Sequence, residues 1–340
     1  MSLKRRSIPL AAVAFAAVAA ITLAGCSSPA PTTDDASTEP LLRIAALTPG
    51  NTSDGGFNQS VLDALTTLED EGLIEFEIRD QIADSATAEP IITDFASQGF
   101  DLIIGHGIEL GDAIFNVAEQ FPDVNFTASG GADILDKHTD NVETWTYDTA
   151  NAGYLSGFIA GATGLAPVGR VESLELDFIT ATDAAFLKGL EAANPGAEAL
   201  PVVYTGSFDD AEKAASATDG LISQGAKLVY TTGDGIATGV GASAAAAGVP
   251  TVGVSVAAGE AAAEVNLSTV NLDMTPIFRG WVEELSAGTF GGKGVLSTIA
   301  NGGLAATELN AVDGVADDFV SKVDALVAGL KDGSITLDIG

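Results

Sequence analysis

Leu42-Arg-Ile-Ala-Ala-Leu47, running into Thr48-Pro-Gly-Asn-Thr-Ser-Asp-Gly-Gly-Phe-Asn-Gln-Ser60, decides how this chain is read. The first six residues form an apolar run, as a parallel strand buried on both faces requires. Val61, Leu62, Leu65 and Leu68 then recur at helical spacing, so a helix follows. A loop leaving the carboxyl end of the first strand of an open α/β sheet is a common ligand site. Within it Asp54 offers a carboxylate, Phe57 a ring and Asn58 an amide, and Gly55 and Gly56 let a ligand approach the backbone. The same residue types also build turns and helix caps, and on spacing alone both readings stand.

Outward from this stretch, strand-like runs alternate with helical periods. Strands are expected at 76–80, 102–105, 124–128 and 142–147, with helices at 89–98, 112–120 and 152–163. The alternation resumes with strands at 170–175, 178–180, 199–204, 228–231 and 251–254, and with helices at 184–193, 209–224 and 239–247. Such repetition means βαβ units and parallel sheets. A late strand at 267–272, a helix at 275–286 and a last helix at 317–331 complete the chain. The expected fold class is α/β with two doubly wound parallel-sheet lobes joined by hinge crossovers. The first lobe comprises 41–145 plus 271–305, and the second 146–270 plus 306–340. Two such lobes leave a cleft that can close on a ligand by hinge motion.

The chain has 340 residues, enough for two ordinary cores. Its 14 basic against 47 acidic residues give a net charge of −33. That balance excludes the basic footprint that nucleic acid demands. At the N-terminus, Lys4, Arg5 and Arg6 precede an apolar stretch, and Leu23-Ala-Gly-Cys26 ends on the single cysteine. This has the form of an export signal and resembles a bacterial lipoprotein signal, which implies cleavage after residue 25 and acylation of Cys26. Residues 27–40, rich in Ser, Pro, Thr and Asp, read as a flexible tether. An acylated Cys26 leaves no thiol for a disulfide or a nucleophile.

Several segments match a known family. They are Asp54-Gly-Gly-Phe-Asn-Gln-Ser60, Gly99-Phe-Asp-Leu-Ile-Ile-Gly105, Gly111-Asp-Ala-Ile114, Phe121-Pro-Asp-Val-Asn-Phe126, Gly153-Tyr-Leu-Ser-Gly157, Asn194-Pro195 and Tyr204-Thr-Gly-Ser-Phe-Asp-Asp210. In these the chain resembles the basic membrane protein family, the purine-nucleoside-receptor type of ABC-transporter lipoprotein. The resemblance implies a type I periplasmic-binding-protein fold, a small-molecule ligand, an ABC permease as partner, and a place on the outer face of the cell membrane through the lipid on Cys26. It also implies that Phe57 and Phe208, one per lobe, sandwich a flat base. Two ring faces grip a flat, polarizable ring well.

The departures fall on the polar partners of the ligand. Where family members carry an acidic residue after the Phe-Pro-Asp segment, this chain has Ser129. Where they have Gly-Val-Asp in a later strand, it has Gly253-Val-Ser255, and a serine accepts sugar hydroxyls far less strongly than a carboxylate. A family lysine in the following strand gives way to Asn271 or Leu272. His106, directly after a buried strand, and Asp234, in Thr232-Gly-Asp-Gly-Ile236, are the candidates for the lost roles.

No nucleophile elbow appears, the two histidines give a triad few ways to form, and no metal-spaced cluster is visible. Gly288-Thr-Phe-Gly-Gly-Lys293 only superficially imitates a phosphate loop. The expected protein is thus a binding protein without enzymatic activity, cofactor or metal. It would capture a nucleoside or relative, with a sugar, or a sensing role without transport, as the alternatives.

Overall fold

The structure is a computed structural model that describes residues 41–254, 258–312 and 314–337. From the N-terminal side come β1 (Leu42–Leu47), α1 (Gln59–Asp70), β2 (Ile74–Arg79), α2 (Ser85–Ser97), β3 (Leu102–Gly105), α3 (Gly111–Ala118), β4 (Asn125–Ser129) and β5 (Val142–Tyr147). The period of two along β1 divides its burial between the faces of the sheet. Ile44 and Ala46 pack with Val61, Leu65 and Leu68 of α1. Ala45 and Leu47 pack with Ile92 and Phe95 of α2 and with Ile114 and Val117 of α3. Each fully buried Leu or Phe contributes about 1.5–3 kcal/mol relative to an exposed one.

The chain then crosses through α4 (Thr149–Ala162) into β6 (Val168–Glu172), α5 (Asp177–Ala193), β7 (Val203–Tyr204), α6 (Ala211–Ser223), β8 (Leu228–Tyr230), α7 (Asp234–Ala247) and β9 (Thr251–Val252). It closes with α8 (Glu260–Val265), β10 (Val270–Leu272), α9 (Thr275–Ala287), β11 (Gly294–Ser297), β12 (Leu304–Ala306) and α10 (Phe319–Lys331). Two parallel sheets result, ordered β11-β5-β4-β3-β1-β2 and β7-β6-β8-β9, and β10 pairs with β12 antiparallel. Ile277, Phe278 and Trp281 of α9 return to the α1 side of the first sheet. Phe319, Val323 and Leu326 of α10 instead join the core of the second sheet with Leu155 and Ile159.

α4 carries buried residues all round, Gly153, Leu155, Ser156, Gly157 and Ile159 among them. A Cβ on Gly157 would overlap the carbonyl oxygen of Phe186 in α5, and one on Gly153 that of Thr182. Glycine is therefore what lets the two backbones touch. The level contacts also show that α4 and α5 run parallel, with their N-termini at the same end.

Four differences from the sequence reading stand out. Residues 178–180, expected as a strand, form the first turn of α5, whose buried Ile179, Asp183, Phe186 and Leu190 keep a helical period. The strand expected at 199–204 shortens to β7, because Pro201 cannot donate to a ladder. The helix expected from 239 begins at Asp234. β11 was not foreseen; only four residues long and beginning at Gly294, it lies parallel on β5 as an edge strand.

Candidate functional site

In each parallel sheet the winding reverses once. The first runs from β1 to β2 on one side and to β3 on the other, and the second from β6 to β7 on one side and to β8 on the other. Ligands of open α/β sheets bind outside the strand carboxyl ends at these reversal points. Because α4 starts at the crossover after β5 and is parallel to α5, the carboxyl end of β6 lies at that crossover. The carboxyl ends of both sheets therefore meet there.

On the first lobe the loop from β1 to α1 is tied by its own side chains. The Asp54 carboxylate accepts from the backbone N–H groups of Gly56 at 2.9 Å, Asn58 at 3.1 Å and Gln59 at 3.0 Å, and from the Asn58 amide at 2.7 Å. Asn58 in turn accepts from the Gly50 N–H at 3.0 Å. These bonds satisfy the open N–H groups at the start of α1, where a negative charge is also favoured by the helix dipole. Asp54 and Asn58 thus shape the loop that carries Phe57, which is half-buried.

His106 stands behind that loop, at the end of β3, fully buried. Its Nε2 lies 2.9 Å from the carbonyl oxygen of Phe57. A carbonyl only accepts, so Nε2 carries the hydrogen and Nδ1 is an acceptor, which has no partner among the described residues. Burial drives the His106 pKa down to about 3, against the opposing pull of the Phe57 bond and the Asp54 charge. The ring is neutral at ordinary pH. It also touches two rings, tilted at 36° against the Phe57 ring 3.9 Å away and stacked at 26° on the Trp145 ring 5.0 Å away. Phe57, His106 and Trp145 form a ladder from the loop into the core.

Ser129 ends β4 beside this ladder. Its Oγ accepts from the Gly107 N–H at 2.6 Å and faces the Gly105 carbonyl at 3.4 Å. Its hydroxyl therefore holds the turn that follows His106.

On the second lobe Phe208 lies in the loop from β7 to α6, 45% exposed. Thr205 fixes that loop by donating to the carbonyls of Ser173 at 3.1 Å and Ser207 at 2.8 Å. A Cβ on Gly235 would overlap the Phe208 carbonyl, so the loop rests on the first turn of α7. Asp234 opens that helix, but its side chain lies outside what is described, as do Ser255 and Cys26.

Sequence reasoning missed a buried polar cluster under this lobe. Arg170 and Glu172 alternate along β6, and Arg170 is paired with Asp183 of α5 and donates to the Leu200 carbonyl. Glu172, fully buried, accepts from the hydroxyl of the exposed Thr232. Burial pushes its pKa up to about 8, against the lowering effect of the Thr232 bond. The available signal was two charged residues at a period of two in a strand that otherwise reads as doubly buried. Among the described residues no cluster of three or more His, Cys, Asp or Glu is placed to hold a metal ion. The arrangement presents one aromatic ring per lobe on buttressed loops.

Comparisons with known proteins find relatives for the chain and for its fold. The family model described as ABC transporter substrate-binding protein PnrA-like matches residues 41–271. A solved ABC transporter solute-binding protein from Conexibacter woesei is 41% identical, with a TM-score of 0.80 over 87% of this chain and 98% of that one. A nucleoside-binding ABC transporter protein, BmpA, from Lactococcus lactis is 29% identical over 70% of this chain and 68% of its own. A solute-binding protein from Aeropyrum pernix, 18% identical, shares the fold with a TM-score of 0.70 over 88% of this chain and 94% of that one.

Proposed function

Because the chain belongs to the PnrA-like family of ABC transporter substrate-binding proteins, we propose that it captures a nucleoside or a related flat-ring metabolite between its lobes and delivers it to an ABC permease. The observation that carries this reading is the packing of the Phe57 ring against the buried, neutral His106, with the Phe57 carbonyl held by the same imidazole. A ring so fixed loses little freedom when a base stacks on it, and preorganisation of this kind raises affinity. Phe208, exposed on the other lobe, supplies the second face when the lobes close. By the family resemblance, Asp234 is the candidate to replace the sugar-binding carboxylate lost at Ser255, and Cys26 carries the lipid that keeps the receptor at the outer face of the membrane.

Calorimetric titration of the purified protein with inosine, adenosine and guanosine, and with free ribose and glucose as controls, tests the reading. Binding of a nucleoside that is lost in Phe57→Ala and Phe208→Ala supports it. Binding of a free sugar alone would replace it with sugar capture on the same scaffold. Mass spectrometry of the membrane fraction tests the anchor, since Cys26→Ala should lack the acylated N-terminal peptide.

A further inference from the structure

The two reversal points are built alike. In the first lobe His106 uses one polar atom to hold the Phe57 loop and leaves Nδ1 without a partner among the described residues. In the second, Glu172 uses Oε2 to hold Thr232, across 60 residues of chain, and leaves Oε1 without one. Thr232 belongs to the short connection from β8 to α7, next to Gly233, and is exposed on the side of the strand carboxyl ends. The hydroxyl of Thr232 is therefore the cover of a buried carboxyl group.

The surroundings of Glu172 favour its neutral form. From α5 it faces the Asp183 carboxylate, whose charge is answered by Arg170 on its own strand. From β8 it faces Tyr230, fully buried and with its hydroxyl unpartnered among the described residues, and from β7 it faces Tyr204. The one cation of the group, Arg170, is thus already engaged. A carboxylate formed here would have to be hydrated, and the way to water leads past Thr232.

We propose that neutral Glu172 is the positioning residue of the second lobe, keeping the Thr232–Gly233 connection closed and in place for ligand, so that capture is linked to the retention of one proton. The proton stays bound while the connection covers the carboxyl group. Ionisation favours the uncovered form, in which water reaches Glu172 and the connection is displaced. A ligand that rests on the closed connection then favours the protonated state, and by linkage the proton favours the ligand. The ligand arm of this inference rests on the proposed capture of nucleosides, whereas the ordering of the connection does not.

The experiment reads both arms. In ligand-free protein, the backbone amide resonances of Thr232 and Gly233 are followed by NMR from pH 6 to 10. They should titrate with a midpoint near 8, where burial places Glu172, and stay flat in Glu172→Gln, which keeps the acceptor but cannot ionise. Thr232→Val removes the hydroxyl bond, the larger of the two Thr232 bonds that favour the charged form, so the Gly233 amide should titrate at higher pH. In parallel, the Kd for inosine should be constant below pH 7.5, rise up to tenfold per pH unit above 8, and lose that rise in Glu172→Gln. Amides that do not titrate, or that titrate unchanged in Glu172→Gln, overturn the positioning role whatever binds. A titrating connection in a protein that binds no nucleoside would uphold the positioning role and reject the nucleoside reading. Inosine binding with a Kd that ignores pH would uphold that reading and reject the linkage.

Discussion

The imidazole of His106 donates from Nε2 to the carbonyl oxygen of Phe57 at 2.9 Å while its ring lies 3.9 Å from the Phe57 ring. One side chain thus fixes both the backbone and the ring of the residue proposed to face the ligand. His106→Phe keeps a stacking ring but leaves the Phe57 carbonyl without this donor. Because the Ser60 hydroxyl still donates to that carbonyl at 2.7 Å, it should cost about 0.5–1.5 kcal/mol of stability and weaken nucleoside binding about tenfold, read by urea denaturation and calorimetry. His106→Ala, which also opens a cavity, should cost about 2–5 kcal/mol.

Acid should destabilise the protein through the same residue. The unfolded histidine titrates near 6.5 and the folded one near 3, so the stability held by the neutral ring is complete above pH 6.5. It is lost as pH falls from 6.5 toward 3, by about 1.4 kcal/mol for each pH unit in that window. The difference in unfolding free energy between the wild type and His106→Phe, measured from pH 7.5 to 4, should shrink as the pH falls. A difference independent of pH would mean that His106 titrates alike in the folded and unfolded chain.

Glu143 predicts a slope of the opposite sign. This buried side chain of β5 accepts from the Gly291 N–H at 2.9 Å and lies beside Glu284 of α9, with Lys293 3.9 Å away. Burial and then the neighbouring Glu284 lift its pKa to about 7, opposed by the Gly291 bond and by Lys293. An acid raised in the folded state contributes most below its unfolded value near 4.5, and that contribution fades as pH rises through 7. Glu143→Gln should therefore stabilise the protein at pH 8 relative to pH 5, a difference that thermal melts at the two pH values would show.

Two glycines should respond to alanine in opposite directions. At Gly157 a Cβ meets the Phe186 backbone, so Gly157→Ala forces α4 and α5 apart and should cost about 1–3 kcal/mol. Gly220 lies in α6, exposed, with nothing within 4 Å of a Cβ. Gly220→Ala should therefore raise stability by about 0.5–1 kcal/mol. Equal effects of the two substitutions in urea denaturation would contradict the close approach of the helices.

Much of the architecture was legible because its signals are local. The apolar run of β1 and the helical spacing of Val61, Leu65 and Leu68 sit within one stretch, and each has its partner element nearby in sequence. Gly288 caps α9 in the left-handed region with φ +66, and Lys293 pairs with Glu284. Less legible was β11, which exists because β5 offers it an edge to pair with rather than because of its own composition.

By itself the sequence determined the alternation of strands and helices, hence two parallel sheets, and it supplied an aromatic residue to a loop at the carboxyl end of each. It did so because hydrophobic period and turn chemistry act over a few residues. The tertiary structure alone decided which polar groups are buried and what they hold. The bonds from His106 to Phe57 and from Thr232 to Glu172 span 49 and 60 residues. The charge state of the two buried groups is set by desolvation that neighbours from other elements impose. A histidine after a strand and a glutamate within one look ordinary in the sequence, and only packing makes the first a neutral buttress and the second a retained acid.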